Sequence, residues 1–186
     1  MIKSRIFSSA VFIFFVLFFV LASPTSHADD AVTNMASMIT KLASFVGWPE
    51  SRASEGDGNL FVISVVGDSP LLQKLKEYNK QEITPGVMIK VRKVPSDMIP
   101  SNSHVLVIGN TDALSLKKMV ARVAGTSTVT VSSGYNLGGK GAIMNIYEEP
   151  VTSKVVVEID AAAARSEHIE IKPQFLKIAR ILNAED

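Results

Sequence analysis

Two short, continuously apolar segments, each followed directly by a helix start, constrain the fold of this chain more than any other feature. "LFVISVVG" covers residues 60–67, and "HVLVIGN" covers residues 104–110. Such unbroken apolar runs are typical of strands buried on both faces of a parallel sheet. Pro70 suits the first turn of a helix after the first strand, and Asp112 can cap a helix after the second. The pattern therefore predicts strand-helix-strand units in a mainly parallel sheet.

The remaining pattern adds strands and helices around this unit. Residues 31–46 carry apolar side chains at three- and four-residue spacing, which predicts an amphipathic helix ending at Gly47-Trp48-Pro49. The late strands are joined by short links, so we expect them to pair antiparallel at one side of the sheet. We predict an α/β fold: a single domain with a mixed, mainly parallel sheet of about six strands flanked by helices. The other predicted strands cover 87–94, 128–133, 142–147 and 154–160, and a last helix covers 173–182.

The N-terminal segment has the pattern of a secretory signal peptide. Two basic residues precede an apolar run over 10–22, and the small residues Ser26 and Ala28 follow it. We predict cleavage after Ala28, which leaves a periplasmic domain of residues 29–186 without a membrane anchor. The alternative is an uncleaved anchor, but the apolar run is shorter than the ~20 residues that span a bilayer.

Composition removes several classes of function. The chain contains no cysteine, which excludes disulfides, thiolate metal sites, cysteine nucleophiles and attachment of lipid to an N-terminal cysteine. Acidic and basic residues nearly balance, with a formal net charge of +1 for the whole sequence. We therefore expect no nucleic-acid partner, because nothing in the charge balance favours binding to a polyanion.

The segment "SGYNLGGKGAIMNIY" comes close to a phosphate-binding loop. Gly134, Gly139 and Lys140 have the spacing of a Walker A motif, but Gly141 stands where the metal-binding hydroxyl belongs. The residues that follow alternate like a strand, whereas a phosphate loop leads into a helix. We interpret the segment as a glycine-rich turn that leads into a strand and leaves Lys140 in solvent.

Two large side chains of this turn are candidate partner-binding residues. Tyr135 and Leu137 are costly on a loop unless something covers them. They either contact a protein partner or fold back over the sheet, and the sequence supports both alternatives equally.

No set of side chains indicates catalysis or metal binding. His104 and His168 have no second histidine or carboxylate at metal-ligand spacing, and the chain has no G-x-S-x-G nucleophile motif. The adjacent Glu148 and Glu149 point opposite ways on a strand and suit a solvated hairpin end better than acid-base chemistry. We expect no enzymatic activity, no cofactor and no metal; a secreted hydrolase is the least favoured alternative.

Three residues form a candidate small-molecule pocket. Trp48 is the only tryptophan, and it either closes the first helix against the sheet or forms a pocket wall. Arg165 and Lys172 flank the start of the last helix, where a cation and a helix N-terminus can hold a carboxylate or phosphate. Ordinary surface charge is the alternative for both.

Five segments, in order along the chain, resemble motifs of the YfiR/HmsC family of periplasmic proteins. The first resembles that family's first helix ending in Trp-Pro, and the third resembles its Cys-His strand with Ser103 in place of cysteine. The segments are "MITKLASFVGWP", "FVISVVGDSP", "SHVLVIGN", "VTVSSGYNLGGKGAIMNIY" and "VVVEIDAAAARSEHIEIKPQFLKIARIL". Each motif alone is weak, but five in order cover nearly all of residues 29–186.

The resemblance implies a periplasmic α/β domain that acts by binding. The best-known members hold the periplasmic sensor domain of a membrane-bound diguanylate cyclase, which keeps cyclic-di-GMP low and represses biofilm formation. The resemblance also makes a homodimer an expectation. Two departures limit which family properties can be expected of this chain. Ser103 replaces the usual cysteine, which rules out redox control through disulfides, and Asp160 replaces the asparagine usual near the end of the last strand.

The leading hypothesis is therefore a periplasmic regulator that sequesters or inhibits the sensor domain of a membrane diguanylate cyclase. The alternative is a periplasmic small-molecule-binding sensor that acts on a membrane kinase or transporter.

Overall fold

The computed structural model describes residues 27–49, 59–98, 100 and 102–184. By its contacts the chain divides into Met1–Asp30 and Ala31–Asp186, and the second unit contains every strand described below. The predicted signal peptide over residues 1–28 lies almost wholly outside the described residues and stays a prediction. Within the described ranges, no helix combines the length and the apolar character needed to cross a bilayer.

The described residues form short helices and strands that mostly follow the predicted order. The helices are α1 (His27–Phe45), α2 (Pro70–Glu77), α3 (Ala113–Arg122), α4 (Ala161–Ser166) and α5 (Pro173–Leu176). The strands are β1 (Val46–Gly47), β2 (Leu60–Val66), β3 (Glu82–Thr84), β4 (Val87–Val94), β5 (Val105–Ile108), β6 (Val129–Ser132), β7 (Met144–Glu148), β8 (Val155–Asp160), β9 (Glu170–Ile171) and β10 (Arg180–Leu182).

One large sheet organises the fold, with strand order β10-β8-β7-β6-β5-β2-β4-β3. Five of its seven pairings are parallel; β7 with β8 and β3 with β4 are antiparallel. The predicted α/β class, the mainly parallel sheet and the antiparallel pairing of late strands are confirmed, with eight strands in place of about six. A separate antiparallel pair joins β1 to β9.

Helices bury both faces of the sheet, as the unbroken apolar strands predicted. In β5, Val105 and Val107 belong to the larger buried cluster, which also contains residues of α1 and α2. The alternate residues Leu106 and Ile108 belong to a second cluster with Leu116 of α3. Because successive side chains of a strand point to opposite faces, β5 supplies apolar groups to two separate layers.

Both predicted helix starts are confirmed, and each helix has a capping residue before its first turn. The Asp112 carboxylate accepts hydrogen bonds from the backbone N–H groups of Leu114 (2.8 Å) and Ser115 (3.0 Å). The Ser69 hydroxyl accepts one from Leu71 N–H at 3.3 Å, directly before Pro70. These bonds satisfy donors that have no partner within the first turn of a helix.

The predicted final helix over 173–182 is wrong in its second half. Only Pro173–Leu176 is helical, and Arg180–Leu182 instead forms β10, parallel to β8, with Arg180 opposite Glu158. The apolar spacing of this segment fits a short amphipathic helix, but pairing at the sheet edge and an Arg180–Glu158 ion pair of 3.1 Å favour the strand. Tertiary contacts here override the local periodicity.

Candidate functional site

A crevice lies where the parallel strands end. Polar residues lie within two positions of the ends of β2, β5 and β6, namely Asp68, Asn110 and Ser133. β4 and β5 flank β2 on opposite sides, so the winding of the chain reverses there. Open α/β sheets bind ligands in the crevice at such a reversal. We call the side of the sheet at which β2, β4, β5, β6 and β7 end the carboxyl edge.

The crevice contains a cavity of about 350 Å³, within the usual size range of small-molecule pockets. Its lining joins the loops of the carboxyl edge to α1, to the start of α2 and to the end of β7. The lining residues are Met35, Asp68, Ser69, Pro70, Leu71, Asn110, Ser133, Gly134, Tyr135, Ile146, Tyr147 and Glu148.

Buried Asn145 braces the glycine-rich turn beside this cavity. Its amide nitrogen donates to Gly134 O at 3.0 Å, and its amide oxygen accepts from Ser132 Oγ at 2.9 Å. A longer contact of 3.4 Å joins the same oxygen to Gly134 N–H. Asn145 lies in β7, so the turn is fixed to the sheet through both backbone groups of Gly134.

The same amide nitrogen donates to Glu158, a buried carboxylate in β8, at 3.1 Å. Glu158 also accepts hydrogen bonds from Tyr147 Oη at 3.3 Å and from Arg180 Nη1 at 3.1 Å. Gly138 lies so close to this carboxylate that an added Cβ would overlap Glu158 Oε2. Packing against Glu158 therefore accounts for the absence of a side chain at residue 138.

Two tyrosines connect this network to the cavity. The rings of Tyr135 and Tyr147 are 5.6 Å apart at 72°, an edge-to-face arrangement. Burial raises the pKa of Tyr147, and the nearby charge of Glu158 raises it further, so its hydroxyl stays protonated at neutral pH.

The structure separates the two candidate partner-binding residues of the turn. The Tyr135 side chain is 55% exposed, whereas Leu137 is 8% exposed and packs in the second apolar cluster. Of the two alternatives, Leu137 folds back over the sheet and Tyr135 remains accessible. Lys140 is exposed as predicted. Whether either turn residue contacts a partner stays a prediction.

None of the three predicted pocket residues, Trp48, Arg165 and Lys172, lines the cavity. Trp48 packs edge-on against Phe61 (5.6 Å) and His104 (5.7 Å), as its core alternative requires. Its buried indole nitrogen has no hydrogen-bond partner among the described residues. Lys172 Nζ donates to Ser44 O at 2.7 Å, and Arg165 is exposed in the last turn of α4.

The crevice residues were missed because each is unremarkable in its own segment. One available signal is that the polar residues Asp68, Asn110 and Ser133 lie at the ends of three predicted parallel strands. Another is the polar residue within an apolar strand, at Asn145 in "MNIY" and at Glu158 in "VVVEID". Buried polar groups require partners, so both residues could have been identified as members of a network.

Ser103 belongs to a second buried network. Its hydroxyl lies 2.6 Å from Ser64 Oγ and accepts from Arg92 Nη2 at 3.1 Å. Arg92 Nε also donates to Ser64 Oγ at 2.8 Å. These bonds join Ser103, just before β5, to Ser64 of β2 and Arg92 of β4. Across the described ranges, no three acidic or histidine side chains cluster closely enough to hold a metal ion.

Comparison with known proteins places most of the chain in one family. A family model described as YfiR/HmsC-like matches residues 33–180. No curated protein matches the sequence. One similar solved structure is the ABC domain in complex with L-Trp from Streptococcus pneumonia, with 14% identity and a TM-score of 0.48. That match covers 71% of this chain but 58% of the other, and a similarity this low supports no inference about fold or ligand.

Proposed function

The chain belongs to the YfiR/HmsC-like family of periplasmic regulatory proteins, and from that premise we propose that it sequesters the periplasmic sensor domain of a membrane-bound diguanylate cyclase. Sequestration would keep cyclic-di-GMP synthesis low, and release would raise it. The proposal includes export by a cleaved signal peptide and regulation without catalysis.

The observation that carries this proposal is the distribution of exposed apolar side chains. Five large apolar side chains of the described residues are more than half exposed: Ile178, which precedes β10, and a group of four formed by Met98, Leu114, Tyr135 and Val151. These four follow β4, β5, β6 and β7 respectively, and these strands run parallel within the sheet. Met98, Tyr135 and Val151 therefore lie on loops of the carboxyl edge and Leu114 lies in the first turn of α3 at that edge, where the four can contribute to one partner-binding surface.

Tyr135 is the best candidate for the centre of this surface. Tyrosine is enriched among residues that dominate binding energy, because its large ring loses little conformational freedom on binding. The turn that carries it is already fixed to the sheet, since Asn145 bonds to both backbone groups of Gly134. A preformed contact costs less conformational entropy on association than one that must be ordered.

Binding of this kind can regulate the partner without any chemical step. A protein that binds one conformation of the sensor domain more tightly than another shifts the population towards the bound conformation. The proposal therefore requires a surface and differential affinity, and no nucleophile or general base.

The test is capture of the partner from membranes by the tagged full-length protein, with mass spectrometry to identify it. We expect a membrane diguanylate cyclase, and we expect Tyr135→Ala to reduce capture about tenfold or more. Ile181→Ala is the matched control, because Ile181 is also exposed but lies on the edge strand β10. Thermal unfolding of both variants must show that they remain folded. Capture of no sensor protein would contradict the proposal.

A second proposed function, small-molecule sensing, is favoured by the cavity at the same edge. A bound ligand would contact Tyr135 and could thereby alter the partner-binding surface. A rise in Tm with members of a broad metabolite panel would support it, because a ligand that binds only the folded state stabilises that state. No shift with any compound would count against it.

A further inference from the structure

The charged groups that line the crevice are all acidic. Asp68 and Glu148 are in the lining, and neither lysine nor arginine is. Lys93, outside the lining, donates to Asp68 Oδ1 at 2.9 Å. The hydrogen bond and charge of Lys93 lower the pKa of Asp68, which therefore remains ionised near neutral pH.

At the start of α2, beside the cavity, the first backbone N–H groups are already hydrogen-bonded and do not offset the negative charge of the lining. Pro70 has no N–H, Leu71 N–H bonds to Ser69 Oγ (3.3 Å), and Leu72 N–H bonds to Ser69 O (3.1 Å). An anion at a helix N-terminus depends on unpaired N–H groups, and the first donors of α2 are already occupied. The crevice therefore disfavours carboxylate and phosphate ligands.

The uncharged lining residues suit a ligand that has an apolar part next to a positive charge. Tyr135 and Tyr147 contribute aromatic rings, and Met35 and Ile146 contribute aliphatic side chains. Aromatic rings attract cations through their electron-rich faces, and nearby carboxylates add to that attraction.

From this geometry we infer that the crevice binds a small organic ammonium ion, with a primary amine directed to the Glu148 carboxylate and an apolar or aromatic body against the tyrosines. The inference rests on the second proposed function, for which it names the class of ligand. Sequestration of a cyclase does not depend on it.

The experiment uses three probes that share a phenyl body and differ in charge: phenethylamine, phenethyl alcohol and phenylacetate. Calorimetry and thermal unfolding of the full-length protein measure their binding at low salt. We expect phenethylamine to bind and raise Tm, phenethyl alcohol to bind more weakly, and phenylacetate not to bind. Glu148→Gln should weaken amine binding about tenfold, since it removes a charged hydrogen-bond partner.

Glu77→Gln is the matched control. Glu77 is an exposed glutamate at the end of α2, 3.7 Å from Lys74 Nζ and outside the cavity lining. This control should leave amine affinity unchanged. Equal binding of amine and carboxylate, or unchanged amine affinity in Glu148→Gln, would overturn the inference.

The two proposals fail differently. If phenethyl alcohol or phenylacetate binds and phenethylamine does not, the inference is overturned, but the proposed function as a small-molecule sensor is retained. No binding by any probe also overturns the inference, while the broader panel decides the sensor function. Neither result changes the membrane-capture test of partner binding.

Discussion

Replacement of Gly138 by alanine tests the buried network beneath the glycine-rich turn. An added Cβ would overlap Glu158 Oε2 and would lie 3.1 Å from Leu182 Cδ1. The φ angle of Gly138 is not in the left-handed region, so alanine causes no backbone strain there. Most of the effect should arise from displacement of the Glu158 carboxylate, with a smaller part from the close approach to Leu182.

The magnitude follows from the bonds that this carboxylate accepts. It is buried, with hydrogen bonds from Asn145 (3.1 Å), Tyr147 (3.3 Å) and Arg180 (3.1 Å). A buried polar group left without its partner costs about 1–3 kcal/mol. Arg180 is 60% exposed, so its ion pair adds little. Disruption of the two buried bonds should lower the free energy of unfolding by about 2–4 kcal/mol, or Tm by about 10 °C.

Gly139→Ala is the matched control at the neighbouring residue. A Cβ on Gly139 meets no atom closer than 3.8 Å, but the residue has φ of +66°. Its cost is conformational, about 1–2 kcal/mol, and independent of Glu158.

Urea denaturation followed by circular dichroism measures these costs in wild-type and Glu158→Ala backgrounds. Removal of the carboxylate should reduce the cost of Gly138→Ala to below about 1 kcal/mol and leave that of Gly139→Ala unchanged. If Gly138→Ala costs the same in both backgrounds, the close approach to Glu158 is not the reason for glycine.

Three further predictions concern the core, a helix cap and the Ser103 network. Leu137→Ala should cost about 2–4 kcal/mol in urea denaturation, because it removes a buried side chain from the second apolar cluster; a cost near zero would mean that Leu137 is displayed after all. Asp112→Ala should lower Tm at pH 7. Hydrogen bonds from Ser115 lower the pKa of Asp112 below 3.8 in the folded protein, so a pH series of Tm should show the difference disappearing as the pH falls through that lowered pKa; a constant difference would refute this. Ser103→Ala should cost about 1–2 kcal/mol in urea denaturation, since Ser64 and Arg92 each lose a partner, and an unaltered midpoint would contradict that role.

Local sequence determined the strands and helix starts well. Strand β4 was predicted with its observed bounds, and β2 and β5 differ only at their ends. Asp112 caps a helix as expected, and Pro70 begins one as expected, with Ser69 as its cap. These features are set by residues close together in sequence. The spacing of apolar side chains determines the strands, and hydrogen bonds within one turn determine the helix starts.

The glycine-rich turn illustrates where local reasoning stops. Its missing hydroxyl at Gly141 and the strand after it sufficed to reject a phosphate loop. The sequence left Tyr135 and Leu137 equivalent, because both are large side chains on the same turn. Only the packing of Leu137 into the layer of α3 distinguishes them.

Tertiary structure alone decided the crevice, the Asn145–Glu158 network and the strand β10. The crevice joins loops that are far apart in sequence, after β2, β5 and β6, because parallel strands end at the same edge. Arg180–Leu182 is a strand because β8 offers an unpaired edge and Glu158 offers a charge, neither of which the local sequence reveals. Apolar periodicity reports that a side chain is buried, but not which distant segment lies against it; the site consists of those distant contacts.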